Sequence, residues 1–290
     1  MGPSEEQSAD VRVQPPVESG WEARLELRFE RCRARTVLVE RNHFGPLCVQ
    51  KSLYPEDEQF CHSIIVHPPG GIAGGDSLAI EVIAAADTHA LLTTPGATRW
   101  YRSLGPASRQ QVNLAVAKNA SLEWLPQENI YFDAAQARST VRVALQAGAV
   151  FIGWEIGCFG RAHSGERFRT GRVRQTFEVV QQGKRLFGDY GEYERGGAVF
   201  DSPLGLAGHT VSGTMLAIGK PASDQVLASA RASAAQHGEN CAVTRLPDVF
   251  LARYLGDSAE EARRFFVALW SLFRPAVIGR VASIPRIWGT

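Results

Sequence analysis

Lysine is nearly missing from this chain: Lys51, Lys118, Lys184 and Lys220 stand among 31 basic residues, so arginine carries the positive charge. Arginine's planar fork suits paired and interfacial contacts more than general solubility. Against 30 acidic residues the formal net charge is only +1, which argues against a nucleic-acid or anionic-membrane binder acting through bulk charge. No run of eighteen apolar residues occurs, and the first residues lack a basic-then-apolar pattern. Neither a membrane span nor a secretory leader is expected, and a cytoplasmic location is. The five cysteines, Cys32, Cys48, Cys61, Cys158 and Cys241, form no C-x-x-C, so neither a structural zinc motif nor a disulfide framework is indicated. G-x-S-x-G, H-E-x-x-H and a helix-opening G-x-G-x-x-G are absent as well, and no motif compels catalysis.

What is present begins with His67-Pro68-Pro69-Gly70-Gly71-Ile72-Ala73-Gly74-Gly75-Asp76. The prolines fix two φ angles and remove two donors, while the glycine pairs permit positive φ and close approach of another segment. Apolar Ile64-Ile65-Val66 before it and alternating Ser77 to Val82 after it make the context strand, loop, strand. Gly70 to Ser77 comes within one residue of a phosphate-binding P-loop, but Asp76 stands where the lysine must be and would repel phosphate.

Trp21 to Glu30 alternates strictly, with Trp21, Ala23, Leu25, Leu27 and Phe29 on one face and charges on the other, as in a half-buried strand. Thr36 to Glu40 and Cys48 to Lys51 look like further strands, and the same period recurs at Gln111 to Ala117, Thr140 to Leu145 and Arg172 to Val180. His43-Phe44-Gly45-Pro46 reads as a break between two of these. Helical signals are confined to the C-terminal third. Ser223 to His237 is alanine-rich and closes at Gly238. Ser258 to Phe273 opens on a Ser258/Glu261 capping box, carries an apolar stripe, and is expected to stop at Pro275. These readings predict a mainly β chain with two helices in one domain over 21–290, preceded by a polar, disordered tail over 1–20. No internal repeat is legible from spacing.

Candidate chemistry is diffuse. Cys61-His62 with His67 is the densest soft-ligand patch, a candidate weak Ni²⁺ site, although scattered histidines more often cap or fill space. Cys158 with His163 could form a nucleophile pair, against the ordinary fate of a buried spectator thiol. Glu155 lies within the apolar run Phe151 to Ile156, where a carboxylate is costly unless paired or facing a water-filled passage. Asp189, Glu192 and Glu194 form a further acidic group.

The strings HPPGGIAGGD, LLTTPGATRWYRS, LEWLPQENIYF and the terminal Pro285-Arg286-Ile287-Trp288 occur in the order, and with the wording, of one family. From about Gly20 to its end the chain resembles the urease accessory proteins called UreD, also named UreH in some bacteria. That resemblance implies a helicoid, β-solenoid-like stack of strands with two helices against it; the strand pattern alone fits a sandwich equally well. It also implies a non-catalytic scaffold that binds the urease apoprotein and UreF, and through UreF the GTPase UreG, and that passes Ni²⁺ along an internal water-filled route with no tightly bound cofactor. The positions it implicates are Asp76, Thr98, Arg99, Glu155 and Asp189. The resemblance also implies that relatives can carry Asp, Glu and Lys where this chain has Glu155, Asp189 and Arg99, so charge sign is kept while side-chain reach changes. Two other readings stay open: a partner-binding platform whose acids serve only structure, and a small-molecule enzyme using Asp76, Arg99 and Glu155 around a pocket. The terminal Val281 to Trp288 either docks on its own domain, which is the expectation, or serves a partner.

Overall fold

The computed structural model describes residues 20–194, 196–219 and 223–289; the expected N-terminal tail lies almost wholly outside them. The chain winds through about four turns of a β-solenoid-like stack. Each turn contributes a strand to a first face, a short rung to a narrow second face, and a strand to a third face. The first face is built from Phe60–Val66, His89–Thr93, Ser121–Leu125 and Val150–Arg161, all parallel. The third is built from Ser77–Ala84, Ser108–Val116, Gln136–Leu145 and Arg172–Gln181, again parallel and in register. Strand Glu22–Cys32 adds to its start in parallel with Ser77–Ala84, and Arg35–Phe44 closes that edge. The latter runs on through His43 and Phe44, rather than breaking there as the sequence suggests, because Leu25 and Arg24 supply ladder partners for both.

The narrow second face stacks Gly71–Ile72, Thr98–Trp100 and Asn129–Tyr131 against Gly157 to Phe159. Three of the family-like strings are therefore one structural position repeated on successive turns. The glycine loop is less a loop than a corner with a rung inside it. Two close approaches explain its composition. A Cβ on Gly74 would sit 2.2 Å from Ser103 Oγ, and Gly75 holds φ +90° with Gly20 packed on it.

The two sheets enclose a core that includes Leu25, Leu27, Phe29, Val82, Leu114, Val143 and Phe151. Strands Val211–Ile218, Val249–Gly256 and Cys241–Leu246 continue the first face antiparallel. Helices α1 (Asp224–His237) and α2 (Ala259–Val277) cover the outer side of that face. Ser223 and Ser258 cap them, accepting from Val226 and Glu261 N–H groups, as the capping pattern requires. The apolar stripe of α2 is buried at Ala262, Phe265, Phe266, Leu269 and Phe273. The helix does not stop at Pro275 but continues to Val277. In a last turn, a missing N–H costs one bond, and the Ile278 and Gly279 N–H groups still close on Arg274 and Pro275.

A buried ionic cluster ties α2 to the coil. Arg274, with no exposed surface, reaches Glu123 at 3.0 Å and Glu56 at 2.6 Å, and Glu56 bonds His62 at 2.9 Å. Trp270 Nε1 donates to the same Glu123 at 2.6 Å. The C-terminal segment docks on its own chain: Trp288 packs against Trp154 and Trp270 and donates to Thr93 Oγ1 at 2.8 Å, while the Val281 carbonyl accepts from Arg274. Trp288→Ala is expected to cost about 2 kcal/mol, since the ring is only half-buried and full Trp truncations cost ~3–5 kcal/mol. Urea unfolding measures it; a change under ~0.5 kcal/mol would mean that the segment is not seated.

Candidate functional site

Glu155 projects from the first face into the space between the two sheets. Its neighbours Trp154 and Ile156 point the other way, into the helix layer, as strand alternation demands. Its Oε1 accepts from Trp124 Nε1 at 2.9 Å and its Oε2 from Asn129 Nδ2 at 3.2 Å. Asn129 is in turn oriented by Trp100, whose Nε1 donates to Asn129 Oδ1 at 3.0 Å. Burial pushes the Glu155 carboxyl up to about 7, against the pull of these two donors.

Two cavities meet at this carboxylate. The larger, about 260 Å³, is lined by His67, Thr98, Arg99, Gln110 and Trp124 along with Glu155. The smaller, about 30 Å³, holds Glu155, Ser139, Gln175, Thr214 and Asp189. The larger could seat several waters, the smaller about one. Asp189 comes from Lys184–Glu194, the edge strand of the opposite sheet, and its Oδ2 receives Arg253 at 2.6 Å and Thr214 Oγ1 at 3.1 Å. Glu155, Thr214 and Arg253 are register partners on three adjacent strands. The second cavity thus has an acid from each sheet on its wall, Glu155 from one and Asp189 from the other, with Arg253 held behind Asp189.

Four of the five implicated residues, Thr98, Arg99, Glu155 and Asp189, line one or other of these cavities. Asp76 lines neither. It is buried beside the corner, with Oδ2 accepting from the Ala73 N–H at 2.7 Å and Oδ1 from the Trp21 N–H at 2.8 Å. Its carboxylate ties the glycine corner to the first strand, and its charge reaches His67, whose imidazole burial holds below its ordinary value. His62 and His67 do not share surroundings: His62 faces α2 and is engaged by Glu56, whereas His67 lines the larger cavity. Among the described residues, no three His, Cys, Asp or Glu side chains converge as a metal cage.

A family model described as UreD urease accessory protein matches residues 22–289. The chain belongs to the UreD family. Among relatives named Urease accessory protein UreD, one from Azoarcus sp. (strain BH72) is 46% identical over 282 residues, 97% of this chain and 99% of the relative. Another, from Janthinobacterium sp. (strain Marseille), is 48% identical over 93% of this chain and 92% of its own length. A third, from Pseudomonas fluorescens, is 46% identical, with 93% and 95% covered.

In this UreD-family chain the remaining nucleophile candidate has little to recommend it. Cys158 is buried, and desolvation, with the charge of Glu128 nearby, pushes its thiol well above the ordinary range; the His163 side chain lies outside the described residues. Sequence reasoning missed Trp124, Asn129, Gln175, Thr214 and Arg253, which surround the two acids. The first two lie in LEWLPQENIYF, but no spacing rule brings Trp124 to a carboxylate 31 residues away.

The raised Glu155 carboxyl makes a pH prediction. Between its ordinary 4.5 and about 7 the folded chain holds a proton that the unfolded chain has released, so stability falls as pH rises through this window and the cost is constant above it. Glu155→Ala is expected to flatten that slope, measured as urea midpoints from pH 5 to 8. An unchanged slope in the variant would place the titration elsewhere.

Proposed function

We propose that this chain is a non-catalytic scaffold of urease maturation that binds the urease apoprotein and UreF, and through UreF the GTPase UreG, and whose interior conducts Ni²⁺ towards urease. The observation that carries the conduit part is Glu155 lining both cavities, so that one carboxylate stands between a compartment with Thr98 and Arg99 and another with Asp189. Isolated hard carboxylates bind a borderline divalent ion weakly and replaceably, whereas a His/Cys cage would hold it. The lack of such a cage among the described residues suits a cargo ion rather than a resident one. Hydroxyl and amide groups of Ser139, Gln175 and Thr214 supply neutral oxygens beside the second cavity, and these can solvate an ion without trapping it. Arg99 and Arg253 limit the path: each sets a positive charge near one of its ends, so the ion must be met there by an acid or by water.

An enzyme reading would need Asp76, Arg99 and Glu155 around one pocket. Asp76 lies outside the larger cavity with both oxygens occupied by backbone donors, which favours the scaffold. The experiment is urease maturation with the Glu155→Ala, Asp189→Ala variant, reading nickel per urease, with co-purification of UreF and urease as the control for assembly.

A further inference from the structure

Parallel strands in register set equivalent side chains in straight rows, about 4.8 Å apart. On the outer side of the seven-stranded sheet one such row runs Asn42, Glu26, Glu81, Asn113, Arg142, Glu178. It compensates itself, since Asn113 donates to Glu81 at 2.6 Å and Arg142 lies 3.8 Å from Glu178. A row nearer the strand starts does not. There Arg109, Arg138 and Arg174 stand side by side on three successive turns, all exposed. Arg174 has Glu192 at 3.0 Å. Arg109 and Arg138 have no carboxylate partner among the described residues, and the next position beyond Arg109 is Ser77. An acid in the same corner, Asp133, has its Oδ1 occupied by the N–H groups of Arg169 and Thr170.

Like charges directly opposite one another destabilise a sheet. The adjacent outward row shows that this face accommodates neutral residues, for it places Gln111, Thr140 and Thr176 together. Two guanidinium groups on neighbouring strands, without a carboxylate partner among the described residues, are therefore a cost that the fold itself does not require. We propose that this arginine row is a docking surface for an acidic helix of a partner protein. Carboxylates at i and i+4 of a helix lie about 5–6 Å apart, close to the strand spacing of about 4.8 Å, whereas same-side residues of an extended strand are separated by about 6.6–6.8 Å. Each guanidinium can then meet one carboxylate as a two-bond fork. A net charge of only +1 leaves little long-range field for a nucleic-acid backbone. The surface is independent of the ion path and yet lies on its wall: Gln110, Ser139 and Gln175, the residues that follow the three arginines, line the two cavities from inside.

The test uses the full chain and a fluorescein-labelled helical peptide with glutamate at every fourth position, read by anisotropy at low and physiological salt. Wild type is expected to bind with an affinity that falls as salt rises, and R109E/R138E to bind about tenfold more weakly or worse, while R109K/R138K loses less. An Arg41→Glu variant, exposed on the edge strand, is expected to bind as wild type. Thermal melts establish that each variant is folded, and R109Q/R138Q replaces the reversal if it is not. The proposal is overturned if wild type does not bind the peptide, if Arg41→Glu weakens binding as much as the pair, or if single-stranded RNA of equal charge binds more tightly through the same two arginines.

Discussion

Urease matured with the Glu155→Ala, Asp189→Ala variant is expected to carry at least about tenfold less nickel than urease matured with wild type, while the variant still co-purifies with UreF and urease. A tenfold loss needs only ~1.4 kcal/mol added to the barrier for ion passage. A unit charge 4 Å from a carboxylate in a protein environment gains ~4 kcal/mol, and a divalent ion more, so removing the acids exceeds that threshold comfortably. The single variants should rank. Glu155 lines both cavities and its two donors, Trp124 and Asn129, are neutral, so an incoming cation displaces no paired cation from it. Asp189 already holds Arg253 at 2.6 Å, so its loss should matter less. Assembly with normal nickel loading would remove the conduit and leave a binding platform; loss of assembly would point to a structural role for the acids.

The second large effect is on stability. Arg274→Met is expected to destabilise the chain by about 3–5 kcal/mol, because it strands Glu123, a fully buried carboxylate, without its counter-charge. For a chain of this size that is a fall in melting temperature of roughly 10 °C. Glu123→Gln alone should also destabilise, since it breaks the same cluster from the other side and weakens the acceptor of Trp270. Combining Arg274→Met with Glu123→Leu should recover part of the loss, since an apolar pair can replace a buried ion pair at little cost while Glu56 keeps His62 as its partner. Chemical denaturation of Arg274→Met, Glu123→Leu and their double closes the cycle. If Arg274→Met costs under ~1 kcal/mol, water reaches the cluster and the arginine is not the tie between α2 and the coil.

Much of this protein is determined locally and is legible in its sequence. Strict alternation from Trp21 to Glu30 places Leu25, Leu27 and Phe29 in the core, because a period of two leaves no other way to bury them. Ser258 at a helix start and the apolar stripe behind it define α2, because capping and the 3.6-residue period are properties of adjacent residues. The family strings, too, are contiguous, and that is why they can be read. Tertiary structure alone decided which strand lies beside which. Gly71–Ile72, Thr98–Trp100 and Asn129–Tyr131 stack as one face, yet they share no composition and the turns between them differ in length, so no repeat is visible in the chain. Pairing across a ladder is a non-local choice, made by whichever register buries both faces together. The same holds for the site. A carboxylate amid apolar residues marked Glu155 as unusual, but only the closing of two sheets put Trp124 and Asn129 on its oxygens, Asp189 behind it against Arg253, and Asp76 to work in the backbone of a corner. Alternation says which side of a strand a residue faces; what it faces is set by chain folded from elsewhere.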